Sequence, residues 1–212
     1  MISALLKKDY LLIKKYVWIM LCAAIAIPPV MRLRMPEFTG QFGFILSAIF
    51  SVLILLQYVS LKEYQFPKAT ALLCTTPFTR VQMVFSRYLF CLMIYAVCCI
   101  TYKIETLIFP WLGTADIRLF VGMFFATATF LSIYLPIQYK LGYEKTKFAF
   151  FLIALASPIL LPVLLRIANQ HANLLFHLAS APVYIRIFLI SLAILALSLF
   201  ASVQIFQKTD LQ

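Results

Sequence analysis

Residues 71–87 read ALLCTTPFTRVQMVFSR, a stretch with three threonines, a proline and two arginines between two strongly apolar runs. Whether it crosses a membrane or stays at its surface sets the number and sidedness of the spans around it. Pro67 is placed to open a helix and Pro77 disfavours helix at Thr76, so the intervening KATALLCTT makes about two and a half turns, roughly 14 Å. That is less than half of a hydrocarbon core about 30 Å thick, so the segment is a surface element. Thr76 is then expected as an N-cap, with Pro77 at the first position of a new helix that runs into the next apolar stretch. On that helix Arg80 and Arg87 lie seven residues apart and share a face with Val84, which sets both cations at headgroup level.

Composition fixes the class. The chain has 212 residues, 64% of them hydrophobic and 12% charged, with a mean hydropathy of +1.00. Apolar runs near the ~20 residues of a bilayer-crossing helix recur throughout, which identifies an integral membrane protein. The expected fold is all-α and polytopic, one transmembrane domain over 1–212, with six transmembrane helices at 16–31, 41–61, 88–109, 119–138, 148–166 and 184–206. No room is left for a soluble catalytic domain, so any such activity belongs to another chain. The net charge of +11 reads as loops facing anionic lipid, and nucleic acid is not an expected partner. The first span is short; Pro28 and Pro29 are expected at its outer end, with Arg32 and Arg34 reaching back to headgroups. Asp9 and four lysines interleave with leucines at the N-terminus and no small-residue cleavage site follows, which argues against a signal peptide.

Sidedness follows from lysine and arginine. With six spans one side collects Lys7, Lys8, Lys14, Lys15, Lys62, Lys68, Arg80, Arg87, Lys140, Lys145, Lys147 and Lys208. Six remain for the other side and the span ends, so both termini are expected in the cytoplasm. In MISALLKKDYLLIKKY the pairs Lys7, Lys8 and Lys14, Lys15 recur seven apart, with Ile2, Leu5, Leu6, Leu12 and Ile13 largely opposite. Residues 1–15 are therefore expected as an amphipathic helix in the membrane interface. It serves either as a topology anchor alone or also as a contact surface for a cytoplasmic partner. The five cysteines, Cys22, Cys74, Cys91, Cys98 and Cys99, read as packing thiols. Cys98 and Cys99 are adjacent, point in different directions on a helix and lack a second pair to complete a metal site.

Catalytic signatures are missing. None of the glycines at 40, 43, 113, 122 and 142 belongs to a lysine-bearing phosphate loop, and His171 and His177 have no HExxH context. An intramembrane hydrolase or lipid transferase would lack its acid and base residues. Lys103 and Glu105 sit in the outer third of the third span, two residues apart, and cannot face each other. Either one of them lines a substrate path, or both snorkel outward beside Pro110 and Trp111.

Leu72, Leu73, Thr75, Thr76, Pro77, Thr79, Arg80, Val84, Arg87 and Tyr88 resemble the loop of small six-span permeases of the type-2 ATP-binding cassette exporters. A leucine pair, a proline, a hydroxyl residue followed by arginine, and a basic–tyrosine pair recur there. The resemblance implies that 66–80 is a cytoplasmic coupling segment whose short helix docks on an ATPase subunit. It also implies an N-terminal helix on the inner membrane surface and a second permease copy or sister permease completing the path. ATP and Mg would be bound by the partner ATPase, with no cofactor in this chain, and the location would be the plasma membrane. Glu63 is the main acidic residue near the loop, which departs from the family pattern. Such exporters also place short re-entrant helices at the outer mouth. Residues 167–183, with NLLFHLAS too short to cross and too apolar for a free loop, fit either that or a plain interfacial segment. Amphipathic or antimicrobial peptides are the substrates expected by analogy. The competing reading is an ATPase-independent membrane assembly or immunity protein.

Reporter tags at Lys145 and Lys208 should be cytoplasmic and one at Gly113 external. External labelling at Lys145 would break the six-span topology.

Overall fold

A computed structural model describes residues 2–34, 40–66, 79–112, 116–170 and 181–208, and over 149–170 it describes the helical backbone. Among these residues the fold is all-α. In chain order the helices are α1 Ile2–Arg34, α2 Gly40–Gln65, α3 Arg80–Ile108, α4 Ile117–Gln170 and α5 Ala181–Lys208, with a 3-10 turn Pro110–Leu112 after α3. Helix is the expected element here because a membrane offers backbone groups no water to bond. Among the described residues five stretches are long and apolar enough to cross a membrane: Ile2–Met31, Gly43–Gln65, Arg80–Ile108, Leu119–Phe148 and Tyr184–Gln207. The span expected at 148–166 falls in the second half of α4. Residues 171–180, which include both histidines and most of the expected re-entrant segment, lie outside the described residues.

Three boundaries depart from the sequence reading. The expected interfacial helix at 1–15 is not a separate element: α1 runs unbroken from Ile2 to Arg34, with Pro28 and Pro29 inside it. Its continuity has a packing cause, because Leu5, Asp9, Ile13, Met20 and Ala24 form one buried stripe at steps of four and seven. Pro28 does not end the helix. It lies against α2 so closely that a Cβ at Gly43 would come 2.5 Å from the Pro28 Cα. The second departure is at the start of α3. Thr79, not Thr76, is the N-cap, and its extended backbone (φ −72°, ψ 149°) excludes a helix running from Pro77 into the span. The Thr79 hydroxyl accepts from the Gln82 N–H, and the Gln82 side chain accepts in return from the Thr79 N–H. In the third, the loop expected between 138 and 148 shrinks to one residue, Gly142, whose φ of +77° and ψ of 174° divide α4.

α2 is the most enclosed helix and packs against α1, α3 and α4, while α3 also meets α5. The buried face of α3 reads Val84, Tyr88, Cys91, Tyr95, Cys98, Tyr102, Glu105, alternating steps of four and three. This is a heptad seam, and it places three tyrosines seven residues apart. The Tyr88 hydroxyl shares hydrogen bonds with Ser198 Oγ (2.6 Å) and Ser202 Oγ (2.8 Å) on α5. Tyr95 donates to the Phe120 carbonyl on α4 at 2.6 Å. Tyr102 stacks on Phe44 of α2, with ring centroids 4.6 Å apart. Cys91 and Cys98 are buried between them as packing groups.

Gly142 has open space where a Cβ would sit, so any cost of filling it is conformational. Gly142→Ala should destabilise the protein by roughly 1–3 kcal/mol, because that backbone region is essentially restricted to glycine. The check is the midpoint of unfolding in detergent. Gly122→Ala, at a helical position with the same open surroundings, should leave the midpoint unchanged or raise it.

Candidate functional site

Segment 67–78 lies outside the described residues, and Leu72, Leu73, Thr75, Thr76 and Pro77 with it. Its two flanks are described, and they meet. Ser60 and Glu63 are three residues apart near the end of α2 and so share a face. Arg87 is two turns into α3, on its buried side. Its guanidinium uses both arms: Nη2 pairs with Glu63 Oε2, and Nη1 donates to Ser60 Oγ at 3.1 Å. A planar fork allows this where a point charge does not.

Two further helices join the pair. Lys8 of α1 places Nζ 3.2 Å from Glu63 Oε1 and 2.9 Å from Asp9 Oδ1. The Lys8–Asp9 contact is electrostatic only, since Asp9 Oδ1 makes no hydrogen bond. Gln138 of α4 donates from Nε2 to Ser60 Oγ. Two cations and two anions thus close into a neutral cluster in which Arg87 and Asp9 are buried. A small cavity of about 70 Å³ lies within it, bounded by Lys8, Asp9, Glu63, Arg87, Tyr139 and Phe206. That is room for a few waters.

The cluster accounts for both arginines. Arg87 is buried inside the bundle, where Glu63 and Ser60 replace its hydration. Arg80 turns to the end of α5, where Nη1 donates to the carbonyls of Phe206 (3.2 Å) and Gln207 (2.9 Å). A cation there satisfies carbonyls that have no partner further along the helix. Thr79 acts as the cap of α3. Of the N-terminal lysines Lys8 is consumed by the cluster, while Lys7, Lys14 and Lys15 are exposed. Nearby, Tyr64 at the end of α2 donates to Glu144 Oε1 at 2.5 Å and stacks on Tyr143, so α2 clasps α4 just beyond Gly142.

At the other end of α3 the two charges part. Lys103 is exposed, whereas Glu105 is buried, and neither of its carboxylate oxygens has a hydrogen-bond partner. The reading in which both snorkel outward is thereby excluded for Glu105. Among the described residues no group of three histidine, cysteine, aspartate or glutamate side chains gathers to hold a metal. Sequence reasoning missed Lys8, Asp9, Ser60 and Gln138 as one unit; the available signal was that Asp9 is the sole acid of α1 and Glu63 the sole acid of α2, and an acid in a membrane helix needs a partner.

A chain of this kind is a multi-pass helical membrane protein whose concentrated polar chemistry, among the described residues, ties helices together at one end. A family model described as ABC-2 family transporter protein matches residues 4–207, nearly the whole chain, and the chain belongs to that family. It is a permease component of an ATP-binding cassette transporter, and such components generally work as dimers with an ATPase subunit and without a catalytic site of their own. No curated protein and no solved structure matched the chain.

Glu63→Gln removes the counter-ion of the buried Arg87 and should cost roughly 3–5 kcal/mol, measured as unfolding of the reconstituted protein in detergent mixtures. Arg87→Met should cost less, because Glu63 is only half-buried and keeps Lys8. Arg87→Met with Glu63→Met should also cost less than Glu63→Gln alone, because Lys8 keeps Asp9 and no buried charge is orphaned.

Proposed function

We propose that this chain is the membrane-spanning subunit of an ATP-binding cassette exporter. It couples ATP hydrolysis by a separate cytoplasmic ATPase, which holds the ATP and Mg, to movement of a substrate through a path completed by a second permease. The observation that carries this is the position of the ion cluster: Glu63 and Arg87 stand on either side of segment 67–78, and the same cluster grips α1 through Lys8 and α4 through Gln138. A push on that segment reaches four helices at once. Leu72 and Leu73 are the apolar anchors on the ATPase, Thr75, Thr76 and Pro77 form the joint, and Thr79 and Arg80 fix where the rigid lever begins. The topology has six spans, the sixth being 148–166, with both termini cytoplasmic in the plasma membrane. The exposed Lys7, Lys14 and Lys15 hold α1 to anionic lipid. Glu105 is the intramembrane charge assigned to the substrate path, and amphipathic peptides are the substrate class offered by analogy.

Leu72→Ala with Leu73→Ala should abolish co-purification of the ATPase and transport while the helices still insert, since a few buried apolar side chains carry most of an interface. Pro77→Ala should keep the ATPase bound and weaken coupling of hydrolysis to export. Arg80→Ala should spare the complex, because its partners are carbonyls of this same chain. A double leucine variant that binds its ATPase as well as wild type would show that 66–80 is not the coupling segment, whereas a wild-type chain that retains no ATPase would leave the ATPase-independent reading in its place.

A further inference from the structure

A cleft of about 440 Å³ runs along the outside of the bundle between α1 and α3, floored by α2. It begins at Lys7 and Tyr10, passes Trp18 and Leu21, and ends at Ala24 opposite Thr101. From Lys7 to Ala24 is about 26 Å along the helix, so the cleft is long for its volume. A long, slender, apolar cleft suits a single unbranched hydrocarbon chain. Its walls are almost wholly apolar, and the Thr101 hydroxyl at the far end is already spent on the Cys98 carbonyl. A hydrocarbon chain seated in the cleft would gain dispersion contacts along both walls.

The two ends of the cleft differ in chemistry. Lys7 is the cation at the mouth; unlike its neighbour Lys8 it makes no ion pair among the described residues, and it stands beside the half-exposed ring of Tyr10. A basic group at one end and a long apolar slot behind it fit an amphiphile with an anionic head and an extended tail. We propose that the cleft is a binding site for one anionic phospholipid of the leaflet that holds the α1 N-terminus, with its phosphate on Lys7 and one acyl chain between α1 and α3. The cleft is longer than one leaflet is deep, about 15 Å, so the seated chain lies extended past the midplane. Nothing in this site depends on the ATPase or on which side of the membrane the N-terminus lies.

Trp18 lines the cleft, and the chain has two tryptophans, so Trp111→Phe leaves Trp18 as the sole tryptophan, which is excited selectively at the red edge beyond tyrosine absorption. The purified variant is reconstituted in phosphatidylcholine vesicles carrying chain-brominated phosphatidylglycerol or chain-brominated phosphatidylcholine, and Trp18 quenching is titrated. The expected result is an apparent affinity about five-fold higher for the anionic lipid, as one lysine contributes at a membrane surface. Lys7→Gln should abolish that preference and Lys7→Arg should retain it. Val97→Phe, which fills the cleft from α3, should reduce quenching by the anionic lipid to the level of phosphatidylcholine. Equal quenching by both lipids in the Trp111→Phe protein, or a preference that survives Lys7→Gln, would overturn the site in favour of bulk lipid contact. Absence of quenching by either lipid would overturn it in favour of a protein surface, such as a second copy, over this face.

Discussion

A guanidinium held inside a bundle of apolar helices is the constraint from which the rest of this structure follows. Arg87 has given up water, so its charge must be matched, and Glu63 supplies the match. Glu63 is shared with Lys8, which draws α1 to the same level, and Lys8 in turn stands beside Asp9. Ser60 completes the arginine's hydrogen bonding and accepts from Gln138, which brings in α4. Each desolvated group calls for the next, and the chain of demands ends only when the cluster is neutral. Four helices are thereby fixed in axial register at one end.

Beyond the cluster the register is kept by weaker means. The tyrosines at 88, 95 and 102 bond or stack onto α5, α4 and α2 in turn, and such contacts inside a membrane contribute around 1 kcal/mol or less each. They orient α3 among its neighbours more than they stabilise it. Tyr88 also reaches further, since Ser198 donates onward to the Ser132 carbonyl and so links α5 to α4. The break in α4 at Gly142 sits beside the clasp made by Tyr64, Tyr143 and Glu144. Stiff seam, neutral cluster and single-residue hinge together divide the molecule into a part that transmits and a place where it bends.

This division bears on transport. The ion pair Glu63–Arg87 joins α2 and α3 on either side of residues 67–78. In the proposed function a force on that segment would be shared by α1, α2, α3 and α4 through the cluster. Arg80 on the last carbonyls of α5 extends the connection to the fifth helix.

The sequence by itself determined the class of the protein. Sustained apolar runs with a sparse set of charges admit only membrane helices, because backbone groups in lipid must bond internally, and that rule acts on each segment alone. The loop motif of Leu72 through Tyr88 placed the chain in its family for the same local reason: it is contiguous. Boundaries were less legible. Thr76 and Thr79 are both hydroxyl residues before a helix, and the choice fell to Thr79 through its reciprocal bond with Gln82. The proline pair in α1 reads as a stop, yet the helix continues because Pro28 is packed against Gly43. What the tertiary structure alone decided is which charges are spent and which remain free. Arg80 and Arg87 are equivalent on a helical wheel, as are Lys7 and Lys8 by composition, but one of each pair meets Glu63 and the other does not. That outcome depends on residues more than twenty positions apart arriving at the same depth in the bundle, and sequence spacing carries no record of depth.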